Sequence, residues 1–223
     1  MKAGLRFPAG LYGVTPEWDD TNQLIQAIEA AAAGGMAALQ WRRKTIAAAE
    51  RLPQAAAIAA CCKRLGVVFI VNDDWQLAAA VNADGVHLGR DDGSLAEARL
   101  ALGTGKIIGC SCYNEPGLAQ QAVQGGADYI AFGAMYPSMV KPGAVRAGLG
   151  DIRQGRLLAA QTGTAPRVAV VAIGGITADN AAPVIQAGAD SIAVISGLFA
   201  AGDIRATALR CSQLFPSNAR PCS

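Results

Sequence analysis

The chain alternates between short, unbroken apolar runs and longer stretches in which Ala, Leu and Ile recur at helical spacing. The apolar runs are GLYGVT (10–15), MAALQWR (36–42), VVFIVND (67–73), DGVHLG (84–89), KIIGCS (106–111), DYIAFGA (128–134), VAVVAIGG (168–175) and DSIAVIS (190–196). They are rich in Val and Ile and continuous rather than alternating, the pattern of parallel strands covered on both faces. Between and after them the spacing predicts helices over 21–33, 46–65, 75–82, 94–102, 115–125, 150–162, 178–187 and 203–213. One phrase recurs. NADGVHL, GGADYIAFG and AGADSIAVI each put Ala-Asp just before a strand, after a helix that ends in small residues or Asn, and Gly there suits a helix C-cap.

Eight alternating strand–helix units in 223 residues predict a (β/α)8 TIM barrel built as one domain over 1–223. A doubly wound open sheet would carry Gly-x-Gly-x-x-Gly after its first strand, and this chain has VTPEW there. The Pro/Ser-rich tail from about 214 is expected to fray.

Composition narrows the functional classes. The net charge is +2 and no Lys/Arg run is present, so nothing supplies an electrostatic footprint for nucleic acid. The opening MKAGLRFPAG lacks the apolar stretch of a signal peptide, and no segment has the roughly 18 unbroken apolar residues of a membrane helix. A cytoplasmic protein of small-molecule chemistry is expected. Whether it forms a homo-oligomer is left open. The six cysteines show no zinc-ribbon spacing and are expected to be reduced.

In such a barrel the chemistry gathers where strands end and loops converge. Gln40, Arg42 and Lys44 alternate, so on an extended segment they share one face, with Trp41 and Arg43 on the other. Arg and Lys together suit a di- or triphosphate-like anion; a solvated strand end is the alternative. Asp73 and Asp92 follow adjacent strands and offer oxygen ligands for Mg²⁺ shared with a substrate phosphate. The alternative for both is helix N-capping. Asp74 and Asp91 are expected to be first-turn or solvent acids. Gly174 and Gly175 allow close backbone approach to a ligand, at the corner where such barrels bind phosphate. No Ser-His-Asp or Cys-His set is visible, and His87, inside a strand, is expected to be a packing residue.

LYGVT, QWRRK, VNDDWQLA, ADGVHLGRDD, IIGCSCYN, ADYIAFGAMYPSMVKPGAVRAG, AIGGI and IAVIS, in this order, resemble the thiamine phosphate synthase family over about residues 10–200. The resemblance implies a Mg²⁺-dependent transferase on a (β/α)8 barrel. It would join 4-amino-2-methyl-5-hydroxymethylpyrimidine diphosphate to a thiazole monophosphate, giving thiamine phosphate and diphosphate. It implies Gln40, Arg42, Lys44 and Asn72 around the pyrimidine and its diphosphate, with Ser111 and Lys141 beside the diphosphate and Ser138 as a hydroxyl donor in place of a family Thr. It implies Asp73 and Asp92 as the Mg²⁺ ligands. Gly174, Gly175, Ile195 and Ser196 would hold the thiazole phosphate. Two positions depart from the family pattern: Arg90 stands for a Gln, and Val140 for a Thr, which removes a hydroxyl. A thiazole tautomerase would not need the acid pair together with the Arg/Lys pair, and a non-catalytic phosphate sensor is the other alternative.

Overall fold

The structure is a computed structural model that describes residues 4–137, 143, 145–161 and 166–216. Ser138, Val140, Lys141, Cys222 and the tail from 217 onward lie outside the described residues. Eight parallel strands close into a barrel in chain order. They are β1 (Gly10–Val14), β2 (Met36–Trp41), β3 (Val68–Asn72), β4 (Gly85–Leu88), β5 (Ile107–Tyr113), β6 (Tyr129–Phe132), β7 (Ala169–Ile173) and β8 (Ser191–Val194). The helices are α1 (Thr21–Ala33), α2 (Ala48–Leu65), α3 (Trp75–Ala80), α4 (Leu95–Leu102), α5 (Pro116–Gln124), α6 (Leu149–Gln161), α7 (Ala182–Gln186), α8 (Ser196–Phe199) and α9 (Ile204–Gln213). The expected barrel is present. The helix expected over 178–187 is shorter, because residues 177–180 form a turn that ties down the loop after β7 (below). A single helical turn, α8, precedes the helix expected over 203–213.

The periodicity has a direct physical outcome. In α1 the buried residues are Leu24, Ala27, Ile28 and Ala31, one stripe at helical spacing that packs on the strands. Asp20 caps its first turn by accepting from the amides of Asn22 and Gln23. The main core lies between helices and strands, and a second apolar cluster fills the barrel itself. At the floor of the barrel Phe7 stacks on Tyr129 at 4.1 Å and meets Tyr12 edge-on at 4.9 Å. Gly109 makes room for that floor, because a Cβ there would lie 1.9 Å from the Tyr129 ring.

The recurring Ala-Asp phrase is a staple at the bottom of the barrel. Asn82, Gly126 and Gly188 turn the chain with positive φ, and the Ala after each is buried. The next residue then grips one residue of the preceding strand twice. Asp84 donates its amide to Phe69 O and accepts the Phe69 amide on its carboxylate. Asp128 does the same to Ile108, and Asp190 to Val170. Arg6 (2.9 Å) and Arg99 (2.7 Å) pair with Asp128. Asp128→Ala should therefore cost on the order of 3 kcal/mol, since it strips a buried amide of its acceptor and two part-buried cations of their carboxylate. That corresponds to roughly 6–12 °C in thermal midpoint. Turnover per folded molecule should be unchanged, because this end of a barrel serves stability. Thermal unfolding and an activity assay on the same sample check both halves.

Candidate active site

The strand ends opposite the staple enclose a cavity of about 550 Å³, within the range of small-molecule sites. Thr15, just past β1, fixes the first cation. Its amide donates to Gln40 O, and its Oγ1 accepts the Arg42 amide at 2.8 Å, so the β1–β2 ladder runs one step beyond the strand. Gln40, Arg42 and Lys44 then face the cavity. Trp41 and Arg43 turn away and both donate to Gln54 Oε1 at 3.1 Å, as the alternation predicts.

Glu17, in the loop after β1, holds this segment. It accepts from the Lys44 amide (3.1 Å), the Thr45 hydroxyl (3.1 Å) and Arg42 Nη1 (3.4 Å). Burial pushes Glu17 upward, but these hydrogen bonds and the Arg42 charge outweigh it and hold the carboxyl below its ordinary value. Sequence reasoning missed Glu17, because its partners Arg42, Lys44 and Thr45 lie 25 or more residues away along the chain. An acid directly after the first strand, in VTPEW, was the available signal.

The N-cap alternative for the two acids fails on geometry. Asp74 caps α3, accepting the Leu77 amide at 2.8 Å, and also pairs with Arg51. Ser94 caps α4 through a full capping box with Glu97. Asp74 is thus the cap rather than a first-turn acid. Asp73 and Asp92 are left facing the cavity with Asn72, and Asp91 lies at its exposed edge. Asp73 adopts φ +66, anchored by its amide donating to His87 O at 2.8 Å. Asp92 accepts the Gly89 amide at 2.7 Å. Burial first, then contact with the Asp92 carboxylate, pushes the Asp73 carboxyl up to about 6, while Lys44, 3.6 Å away, and Arg42 pull it down. Two touching carboxylates whose cations do not fully offset them fit a hard divalent cation with further oxygen ligands from elsewhere.

Ser111 and Tyr113 reach the cavity from β5. Arg90, over the Tyr113 ring at 5.1 Å and ion-paired with Glu115, forms part of the rim. His87 is more than the packing residue expected. It is buried, yet Nε2 lies 2.8 Å from Ser111 Oγ and Nδ1 lies 2.9 Å from Tyr129 Oη. Burial pushes its ring down to about 4 against the pull of Asp92, so it is neutral at pH 7. Cys61, Cys62, Cys110, Cys112 and Cys211 are free thiols. Burial pushes Cys110 up to about 11 and Cys112 up to about 12, so neither is a thiolate at neutral pH.

A notch adjoins the cavity and shares Ile173, Gly174 and Ile195 with it; Gly175, Ile176, Ala193, Ser196 and Gly197 complete it. Gly174 (φ +102) and Gly175 (φ +64) are conformations for glycine, and a Cβ on Gly175 would lie 2.4 Å from Pro137 O. Asn180 locks this loop, accepting the Thr177 amide at 2.8 Å and donating to Gly175 O at 3.0 Å. The geometry thus brings every described site residue named from the sequence to one mouth: a cationic side, an acidic pair and a glycine-lined notch.

Residues 11–198 match the family model described as thiamine monophosphate synthase. The chain is 57% identical to the thiamine-phosphate synthase of Bordetella avium over 212 residues, 95% of this chain and 97% of that one. It is 52% identical to the thiamine-phosphate synthase of Thiobacillus denitrificans over 94% of this chain and 96% of that one. Among solved structures, thiamine phosphate pyrophosphorylase from Pyrococcus furiosus matches with a TM-score of 0.79 at 31% identity, over 94% of this chain and 96% of that one.

Proposed function

The chain belongs to the thiamine monophosphate synthase family, and from that premise we propose that it condenses 4-amino-2-methyl-5-hydroxymethylpyrimidine diphosphate with a thiazole monophosphate. The products are thiamine phosphate and diphosphate. The observation that carries this reading is that Arg42, Lys44, Asp73 and Asp92 meet in one cavity, beside the Gly174–Gly175 notch.

The chemistry asks for little from acid–base groups. The C–O bond between the pyrimidine methylene and the diphosphate breaks, and its electron pair leaves with the diphosphate. The electron-rich aminopyrimidine supports the cation-like carbon that remains, and the thiazole nitrogen attacks it. Arg42 and Lys44 stabilise the charge growing on the leaving group, joined by Lys141 and by the hydroxyl of Ser111. Gln40 and Asn72 orient the pyrimidine end. Asp73 and Asp92 would hold Mg²⁺, which when bound neutralises diphosphate charge. Ser138, Gly174, Gly175, Ile195 and Ser196 serve the thiazole phosphate. The buried neutral His87 and the protonated thiols are unsuited to act as nucleophile, and none is needed.

The deciding experiment is turnover by the purified protein with both substrates and Mg²⁺. Thiamine phosphate and diphosphate should form one to one. Isomerisation of the thiazole phosphate alone would identify a tautomerase instead. Among the described residues no helix is long and apolar enough to cross a membrane, and the substrates proposed are small molecules.

The notch makes a separate prediction. Gly175→Ala places a methyl against the 136–137 backbone, so the loop after β6 must shift. The thiazole phosphate KM should rise about tenfold or more, as when a hydrogen bond to a charged group is lost. The pyrimidine diphosphate KM should stay within about twofold of wild type. Steady-state kinetics with each substrate varied in turn measure the split.

A further inference from the structure

Behind Ser111 a chain of hydrogen bonds crosses the inside of the barrel. Gln40 Nε2 donates to Tyr12 Oη at 2.8 Å, and Tyr12 Oη lies 3.0 Å from Tyr129 Oη. Tyr129 Oη lies 2.9 Å from His87 Nδ1, and His87 Nε2 lies 2.8 Å from Ser111 Oγ. The five residues stand on β2, β1, β6, β4 and β5 in turn. Tyr12 and Tyr129 are at most 1% exposed, so no solvent closes a gap in the chain.

With the Gln40 amide nitrogen facing Tyr12 Oη, the protons in this chain have one consistent order. A phenol carries one proton. Tyr12 Oη already accepts from Gln40, and among the described residues its own proton has Tyr129 Oη as its remaining partner. Tyr129 must then give its proton to His87 Nδ1, which is the bare nitrogen. The neutral ring carries its single proton on Nε2 and donates it to Ser111 Oγ. The Ser111 proton is left over, on a side chain that lines the cavity. Running the chain the other way would leave the Tyr12 proton without an acceptor in a fully buried place, which is costly.

We propose that Tyr12 and Tyr129 are positioning residues that fix the Nε2–H tautomer of His87 and thereby reserve the Ser111 hydroxyl proton for a diphosphate oxygen in the cavity. The second half rests on the function proposed above; the tautomer does not. The hydroxyls of both tyrosines lie inside apolar runs of the sequence, where a hydrophobic pattern hides them.

The chain contains a single histidine, so uniformly ¹⁵N-labelled protein without an affinity tag gives one imidazole to assign. Its ¹⁵N spectrum at pH 7.5 should show an unprotonated Nδ1 and a protonated Nε2. Tyr129→Phe keeps the ring and removes the donor to Nδ1, so the tautomer preference should weaken or invert. Binding of inorganic pyrophosphate with Mg²⁺, measured by calorimetry, should weaken about three- to tenfold in Tyr129→Phe. Ser111→Ala should weaken it comparably, and combining the two should add little. A protonated Nδ1 in the wild type overturns the proposal. A tautomer unchanged in both Tyr12→Phe and Tyr129→Phe overturns the role of the tyrosines. The expected tautomer with equal pyrophosphate binding in wild type and Ser111→Ala overturns the role of Ser111 and leaves the tautomer assignment standing. Failure of the proposed reaction would show separately, as absent turnover with an unaltered ¹⁵N spectrum.

Discussion

Asp73→Asn should lower kcat by about 10²–10³-fold, the range seen when one preorganised charge-stabilising group is removed from an active site, and should leave the fold intact. The position makes the substitution chemically clean. Asn is among the residues that best tolerate the positive φ that Asp73 adopts, and the amide bond to His87 O is untouched. The lost Lys44 contact, 3.6 Å long on a half-exposed lysine, is worth little. What changes is the charge of the acid pair.

Stability should move in the opposite direction from activity. Burial and Asp92 raise the Asp73 carboxyl to about 6. The folded chain therefore keeps a proton that the unfolded chain has already lost, and metal-free stability falls as pH rises from about 4 through about 6. At pH 7.5 that loss is complete. Asp73→Asn removes it, for a gain on the order of 1 kcal/mol, or roughly 2–4 °C. Mg²⁺ should then stabilise the wild type more than the variant. Kinetics, a Mg²⁺ titration and thermal unfolding against pH test the set. Unchanged kcat and an unchanged Mg²⁺ response would falsify the metal assignment.

The second large effect is expected at Arg42. Arg42→Ala should lower kcat by about 10²–10³-fold, with little change in the thiazole phosphate KM. Charge develops on the diphosphate as the bond breaks, so a group that meets it acts on the rate more than on ground-state affinity. Arg42→Lys should recover part of the loss, since an ammonium supplies the charge but not the two-pronged geometry. Little stability should be lost, because the Glu17 pair is partly exposed and worth at most about 1 kcal/mol. Measuring kcat and both KM values decides this. A raised thiazole KM with normal kcat would place Arg42 on the other half of the site.

The distinction between what the chain spells out and what only folding decides follows from the range of the forces involved. Local periodicity carries the barrel. Apolar runs need cover on both faces, α1 shows its stripe at spacing three and four, and the Ala-Asp phrase marks where a strand is about to begin. The alternation of Gln40, Arg42 and Lys44 placed all three on one face because side-chain direction in a strand is fixed by the backbone.

The acids were undecidable by the same means. An Asp after a strand is equally suited to cap a helix or face a cavity, and the choice depended on whether a neighbour took the cap. Asp74 and Ser94 took it. Glu17 and Arg42 are 25 residues apart, and His87 and Tyr129 are 42 apart. Their contacts exist because closing the barrel brings distant strand ends within hydrogen-bond range, and no local pattern records that. The sequence by itself determined which strand carries each group and which face it takes. The tertiary structure decided which groups meet, because the proton affinity of Asp73 and the partners of His87 are set by neighbours that come from other strands and by the water that closure excludes.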